Sequence, residues 1–93
     1  MLTLDSQLVI PAHVTSTLVD EDTVLLNTRT NQYFALQEVS SRLWTLLKEG
    51  QGLRQACHTL QEEYTVEPAE LERDVLEIIG QLMENGLVEF VEG

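Results

Sequence analysis

The sequence predicts an α+β domain in which a three-stranded antiparallel sheet is followed by three helices, and three observations carry that prediction. Residues 23–47, TVLLNTRTNQYFALQEVSSRLWTLL, place two β-prone runs on either side of a polar, Asn-containing turn, and the second run passes without a linker into a helical pattern. Apolar residues then recur at helical spacing in two further stretches, 53–64 and 68–84. Between these segments stand turn and stop signals: Asp20-Glu21-Asp22, Gly50, Gly52, Pro68 and Asn85-Gly86.

Taken in order, Met1 to Gln7 is read as loose chain, while Leu8-Val9-Ile10 ahead of Pro11 suits a short extended piece that docks. Val14, Ser16 and Leu18 alternate with Thr15, Thr17 and Val19, the period of a first strand, and the acidic turn follows. Thr23 to Thr28 and Gln32 to Leu36 are the second and third strands. Joined as a meander, they put Thr23 to Thr28 in the middle and leave Gln32 to Leu36 at an edge, with unpaired N–H and C=O groups that need a cover or a partner. Alternation sends Phe34 and Leu36 toward the core and leaves Tyr33 as the more exposed contact.

From Glu38 the period changes, because Val39, Leu43, Leu46 and Leu47 fall at i, i+4, i+7 and i+8, with Trp44 beside them. Gly50 accepts the left-handed geometry that stops a helix. A second helix opens near Leu53 and aligns Ala56, Cys57, Leu60 and Tyr64, which makes Cys57 a packing residue and leaves His58 at the surface. Glu67-Pro68 opens the third helix, where the missing N–H of proline costs nothing, and Asn85-Gly86 closes it. Here Leu71, Val75, Ile78 and Leu82 form one apolar stripe against the core, and Leu76, Ile79 and Met83 form a second that either completes the core or lines a groove. Leu87 to Val91 returns as a short strand or tail, with Leu87 and Phe90 closing the base of the core. This order suits a winged helix-turn-helix, a fold that does not by itself give a function.

Ninety-three residues with 43% hydrophobic content make a single domain, 1–93, with little room for a buried catalytic cleft. The N-terminus lacks the basic and long apolar regions of a signal peptide, so the expectation is a soluble, cytoplasmic protein away from membranes. Cys57, His13 and His58 have no metal-ligand spacing and no nucleophile–base pattern, so neither an enzyme, a metal nor another cofactor is implied. The formal charge is −11, and the bases Arg29, Arg42, Lys48, Arg54 and Arg73 are scattered over different elements. No basic face exists to neutralise phosphates, which argues against nucleic acid and against a winged-helix transcription factor. From Glu62 to Glu92 ten acids face one base, a surface that either solubilises the chain or steers a basic partner.

The run LLNTRTNQYFALQEVSSRLWTLLKEG, a helix ending EEY, and then VEPAELERDVLEIIGQLMENGLVE resembles the PqqD-like family of peptide-recognition domains over nearly the whole chain. The strand-to-helix junction YFALQEVSSRLW and the Asp74-Val75 pair on a helix ending in Gly86-Leu87 are its most telling parts. The hairpin Leu26-Asn27-Thr28-Arg29 looks less like the proteins of pyrroloquinoline quinone synthesis than like free-standing members that serve lasso-peptide biosynthesis. One departure is Gln37 where the family usually carries Asn, a better helix N-cap, which leaves the start of the first helix less well fixed.

The resemblance implies a non-catalytic domain that binds the leader of a ribosomally made precursor peptide, adding it as a strand to the sheet edge in the groove beside the third helix. Backbone of Tyr33, Phe34, Ala35 and Leu36 would supply the ladder, and Val75, Leu76, Ile79 and Met83 would receive apolar leader residues, for lasso leaders a Tyr, a Pro and a Leu. Glu72 and Asp74 at the rim would meet leader lysines, unless Asp74 simply solvates the helix or pairs with Arg73 or Arg42. The implied partners are a leader peptidase of the transglutaminase-like cysteine protease type and a macrolactam-forming cyclase; a peptide chaperone for a radical-SAM maturase is the alternative within the family. On this reading Leu76→Glu or Ile79→Glu abolishes peptide binding and leaves the domain folded.

Overall fold

The computed structural model describes residues 1–91. Among the described residues five strands and three helices follow in the order β1 (Leu8–Val9), β2 (Val14–Val19), β3 (Asp22–Asn27), β4 (Gln32–Leu36), α1 (Val39–Lys48), α2 (Leu53–Glu63), α3 (Pro68–Glu84) and β5 (Glu89–Phe90). The meander is present as an antiparallel sheet in the order β2-β3-β4, and β1 pairs separately with β5.

Two hairpins set the register of the sheet. Val19 pairs with Asp22, so Asp20-Glu21 is a two-residue turn, and Asp20 alone of the two takes a positive φ of 57°, as a type II′ turn requires. Asn27 pairs with Gln32 across a four-residue loop that Asn31 closes at φ 60°, its N–H donating to the Asn27 carbonyl at 2.7 Å. Asparagine tolerates that left-handed geometry better than most side chains. One face of the sheet, Val14, Thr23, Leu25, Asn27 and Leu36, is buried under the helices. Thr23 and Ser41 share a buried hydroxyl–hydroxyl bond of 2.6 Å that pins β3 to α1.

The helices stop where glycine permits. Gly50 (φ 93°) and Gly86 (φ 71°) each follow a paired 6→1 and 5→2 bond pattern, Gln51 N–H to Leu46 with Gly50 N–H to Leu47, and Leu87 N–H to Leu82 with Gly86 N–H to Met83. Leu43, Trp44, Leu46, Leu53, Ala56, Leu60, Val75 and Ile79 fill the core with 0–2% exposure. Cys57 belongs to the same cluster, and burial pushes its thiol pKa up, the wrong direction for a nucleophile. No helix is long and apolar enough to cross a membrane among the described residues.

Four expectations need correction. Met1 to Gln7 is not loose: Leu2 and Leu4 continue the alternation of Leu8 and Ile10, all four pack on the core, and Asp5 forms a two-bond ion pair with Arg54 at 3.0 Å. The strap is anchored further by β1–β5 pairing and by Val91 N–H donating to the Gln7 carbonyl. Phe90, paired with Leu8 at this surface ladder, stays 45% exposed, and Val88 closes the core beside Leu87 in its place. The N-cap of α1 is Glu38 at φ 53° rather than Gln37, and the hydroxyl of Ser40 secures the junction by bonding Gln37. Arg42 grips Glu63 at the end of α2 through bonds of 2.8 to 3.2 Å, and Asp74 joins neither ion pair of the described residues.

The C-terminal end of α3 is fastened to the sheet by polar groups, with Asn27 buried and His13 half-buried. Asn27 Nδ2 donates to the Asn85 carbonyl at 3.1 Å, His13 Nε2 lies 3.1 Å from the Gly86 carbonyl, and Asn27 Oδ1 accepts from the Arg29 N–H at 3.0 Å. Asn27→Ala removes both side-chain bonds made from this buried position, and its expected cost of about 2 kcal/mol lowers the thermal midpoint by roughly 10 °C in a domain of this size; calorimetry checks it. Glu63 is held below the ordinary carboxylate range by its bonds to Arg42. A lowered pKa stabilises the fold above that range and ceases to do so as pH falls through the lowered value. Glu63→Gln is therefore less stable than the parent at pH 7, and the two converge near pH 2, as urea midpoints at both pH values will show.

Candidate functional site

The ladder between β2 and β3 determines which backbone groups β4 leaves open. Beside the Val14–Asn27 pair, Thr28 N–H donates to the His13 carbonyl at 2.8 Å. Antiparallel bonding alternates along a strand, so Asp22, Val24 and Leu26 turn their N–H and C=O groups to β2, and Thr23, Leu25 and Asn27 turn theirs to β4. Opposite these, Gln32, Phe34 and Leu36 are consumed by the ladder. Tyr33 and Ala35 therefore present two N–H and two C=O groups at the open edge, while their side chains stand on the face away from the helices.

Against this edge lies a cleft of about 470 Å³, walled by Tyr33, Phe34, Ala35 and Leu36 on one side and by Ile78, Gln81, Leu82 and Asn85 of α3 on the other. Ser40 closes one end, and Leu87 also contributes to the lining. None of the lining side chains is charged. The floor is apolar, Gln81 and Asn85 add amides, and Asn85 Nδ2 is turned back onto the Gln81 carbonyl at 2.9 Å. Such a cleft offers backbone pairing along one wall and shape, with two amide positions, along the other. It has no group to activate a nucleophile, and among the described residues no three His, Cys, Asp or Glu side chains converge to hold a metal ion.

The four strand residues expected at the site are all there, and Tyr33 is 71% exposed. The helical wall differs from the expectation. Val75 and Ile79 are both 0% exposed and belong to the core with Leu71 and Leu82, while Ile78, read as core, lines the cleft. At about 100° per residue the core stripe separates Ile78, Gln81 and Asn85 on one flank of α3 from Glu72, Leu76 and Met83 on the other. The latter flank faces α2, since Glu72 acts electrostatically on both Cys57 and Arg54. Leu76 and Met83 are half-buried there, outside the cleft lining. Asp74, one turn before Ile78, is exposed and remains at the rim on the cleft side.

Sequence reasoning missed Ser40, Ile78, Gln81, Leu82, Asn85 and Leu87 as lining residues. The available signal was the i, i+3, i+4, i+7 spacing of Ile78, Gln81, Leu82 and Asn85, a mixed stripe that a search for apolar residues alone passes over. A second cleft, about 820 Å³, runs between the N-terminal strap and the α1–α2 turn, lined by Leu4, Leu8, Leu47, Leu53, Arg54 and Val88 among others. It has no share of the open strand edge.

The fold has structural counterparts. The structure titled "TbiB1 in Complex with the TbiA(beta) Leader Peptide" superposes with a TM-score of 0.85 at 33% identity, covering 90% of this chain and 98% of the other. That titled "Lasso peptide synthetase B1 complexed with the leader peptide" gives 0.82 at 25% identity, covering 90% and 99%. Among curated proteins nothing matches. The family model described as "Coenzyme PQQ synthesis protein D (PqqD)" matches residues 22–88, from the start of β3 to the residue before β5, and the chain thus belongs to the PqqD family.

Proposed function

We propose that this protein binds the leader region of a ribosomally synthesised precursor, of the lasso-peptide class, as a fourth strand on β4. One observation carries the reading: the backbone of Tyr33 and Ala35 is open along an uncharged cleft whose far wall is α3. Backbone pairing holds any extended chain, and the side chains that alternate inward against Ile78, Gln81 and Leu82 supply the preference. Both neighbours are complexes with leader peptides, which supports the same occupant here. The exposed Asp74 and the net charge of −11 favour a leader that carries lysines, mainly through its rate of association. The bound leader is then delivered to a leader peptidase of the transglutaminase-like cysteine protease type and to a macrolactam-forming cyclase, with no catalytic step on this chain.

Fluorescence anisotropy of the labelled TbiA(beta) leader, or of a lysine-containing peptide of about twenty residues with Tyr, Pro and Leu anchors, tests the binding. A dissociation constant near micromolar, about −8 kcal/mol, is the expected result. Flat anisotropy with both peptides at tens of micromolar would count against leader capture. Ile78→Glu puts a charge into the cleft wall and weakens binding at least about tenfold while circular dichroism stays native. Ile79→Glu, by contrast, buries a carboxylate in the core at a cost of about 4 kcal/mol or more and unfolds much of the protein. Equal loss of binding by two folded variants would erase the distinction drawn between the two isoleucines.

A further inference from the structure

The alternation that opens Tyr33 and Ala35 makes Gln37 the next residue to turn its backbone outward along the same edge. Its groups are already taken. Gln37 N–H donates to Ser40 Oγ at 3.2 Å, the Ser40 hydroxyl donates to the Gln37 carbonyl at 2.8 Å, and Ser40 N–H reaches that carbonyl at 3.2 Å. Ser40 also lines the end of the cleft, where a chain running along β4 would continue. At the other end Asn31 would be the next outward residue, but it has left the strand at φ 60° and spends its N–H on the Asn27 carbonyl.

We propose that Ser40 ends the ladder: by occupying both backbone groups of Gln37, it limits an added strand to pairing with Tyr33 and Ala35 and makes the chain leave the sheet at the start of α1. The peptide segment read through its backbone is then about three residues for a strand antiparallel to β4 and about five for a parallel one, and everything beyond it is read by side chains alone. Ser40 is a positioning residue in this scheme, since it acts on the register and length of the bound strand through Gln37. The inference rests on strand addition at β4, but the part that concerns the free protein does not.

Residue-resolved amide hydrogen exchange on the full chain tests both parts, corrected for intrinsic rates. In the free protein the Gln37 amide is expected to exchange about five- to tenfold more slowly than those of Tyr33 and Ala35, the worth of one neutral hydrogen bond. Ser40→Ala should abolish that difference and Ser40→Thr, which keeps the hydroxyl, should retain it, with the α3 amides in the same spectra reporting that each variant is folded. Saturation with the TbiA(beta) leader should then protect Tyr33 and Ala35 without a change at Gln37. In Ser40→Ala, Gln37 should gain protection together with them. A Gln37 amide as fast as that of Tyr33 in the free parent, or one that the peptide protects as strongly as Ala35, overturns the proposal. A peptide that does not bind defeats the leader reading instead, and the free-protein comparison still decides what Ser40 does.

Discussion

The cleft exists because the end of α3 is tied to the sheet at a fixed separation. Asn27 is the hub of that tie: its side chain donates to Asn85 and accepts from Arg29, and its own carbonyl closes the β3–β4 loop. Buried polar groups of this kind cost free energy unless every one is satisfied, so the arrangement tolerates little sliding of helix against strand. Because Asn27 sits in the middle strand, β4 is held from behind and its free side faces α3. Were the helix to pack directly on the edge, the apolar lining would be consumed as core. If it stood away, the cleft would have one wall.

An open strand edge is a hazard in any small protein, because it pairs with whatever extended chain it meets. Here the hazard is confined. On β4 only Tyr33 and Ala35 are open among the described residues, bounded by the left-handed Asn31 and by the Ser40 bridge, and two residues make too short a ladder to hold a chain unaided. Occupancy of the edge then depends on what fills the space beside Phe34, Ile78 and Leu82. The strong negative charge adds a penalty against pairing with a second copy of the same chain.

Most of the fold was legible in the sequence, and the failures share a cause. Strand and helix periods, the Asn and Gly stops and the edge position of β4 all follow from local patterns that tertiary structure did not overrule. The docking of Leu8 to Ile10 was legible, but that of Met1 to Gln7 was missed although Leu2 and Leu4 continue the alternation, because what holds it, Arg54 and the core surface, lies far along the chain. On α3, two apolar stripes were visible, but hydrophobicity finds the most buried wall, and Ile79 is more buried than Ile78 for reasons of helix rotation that composition does not encode. A binding wall is mixed in character. Gln81 and Asn85 carried no weight in a reading that sought apolar residues, and Ser40 gave no sign of its task until the bond parity of β4 was known.

The pairing of Leu8 with Phe90 and of Val9 with Glu89 joins positions about eighty residues apart along the chain. Closing so long a loop brings few bonds in return, so this ladder forms after the sheet and helices have condensed and comes apart before them. The strap and β5 are thus the unit expected to open first while the rest of the domain persists. Each opening bares Leu4, Leu8 and the wall formed by Leu47, Leu53 and Val88, and enlarges the 820 Å³ cleft beneath. The molecule accordingly has two clefts of unlike construction: one at β4 whose walls are joined through the bonds of Asn27, and one under the strap whose roof is held by a two-residue ladder and the Asp5–Arg54 pair.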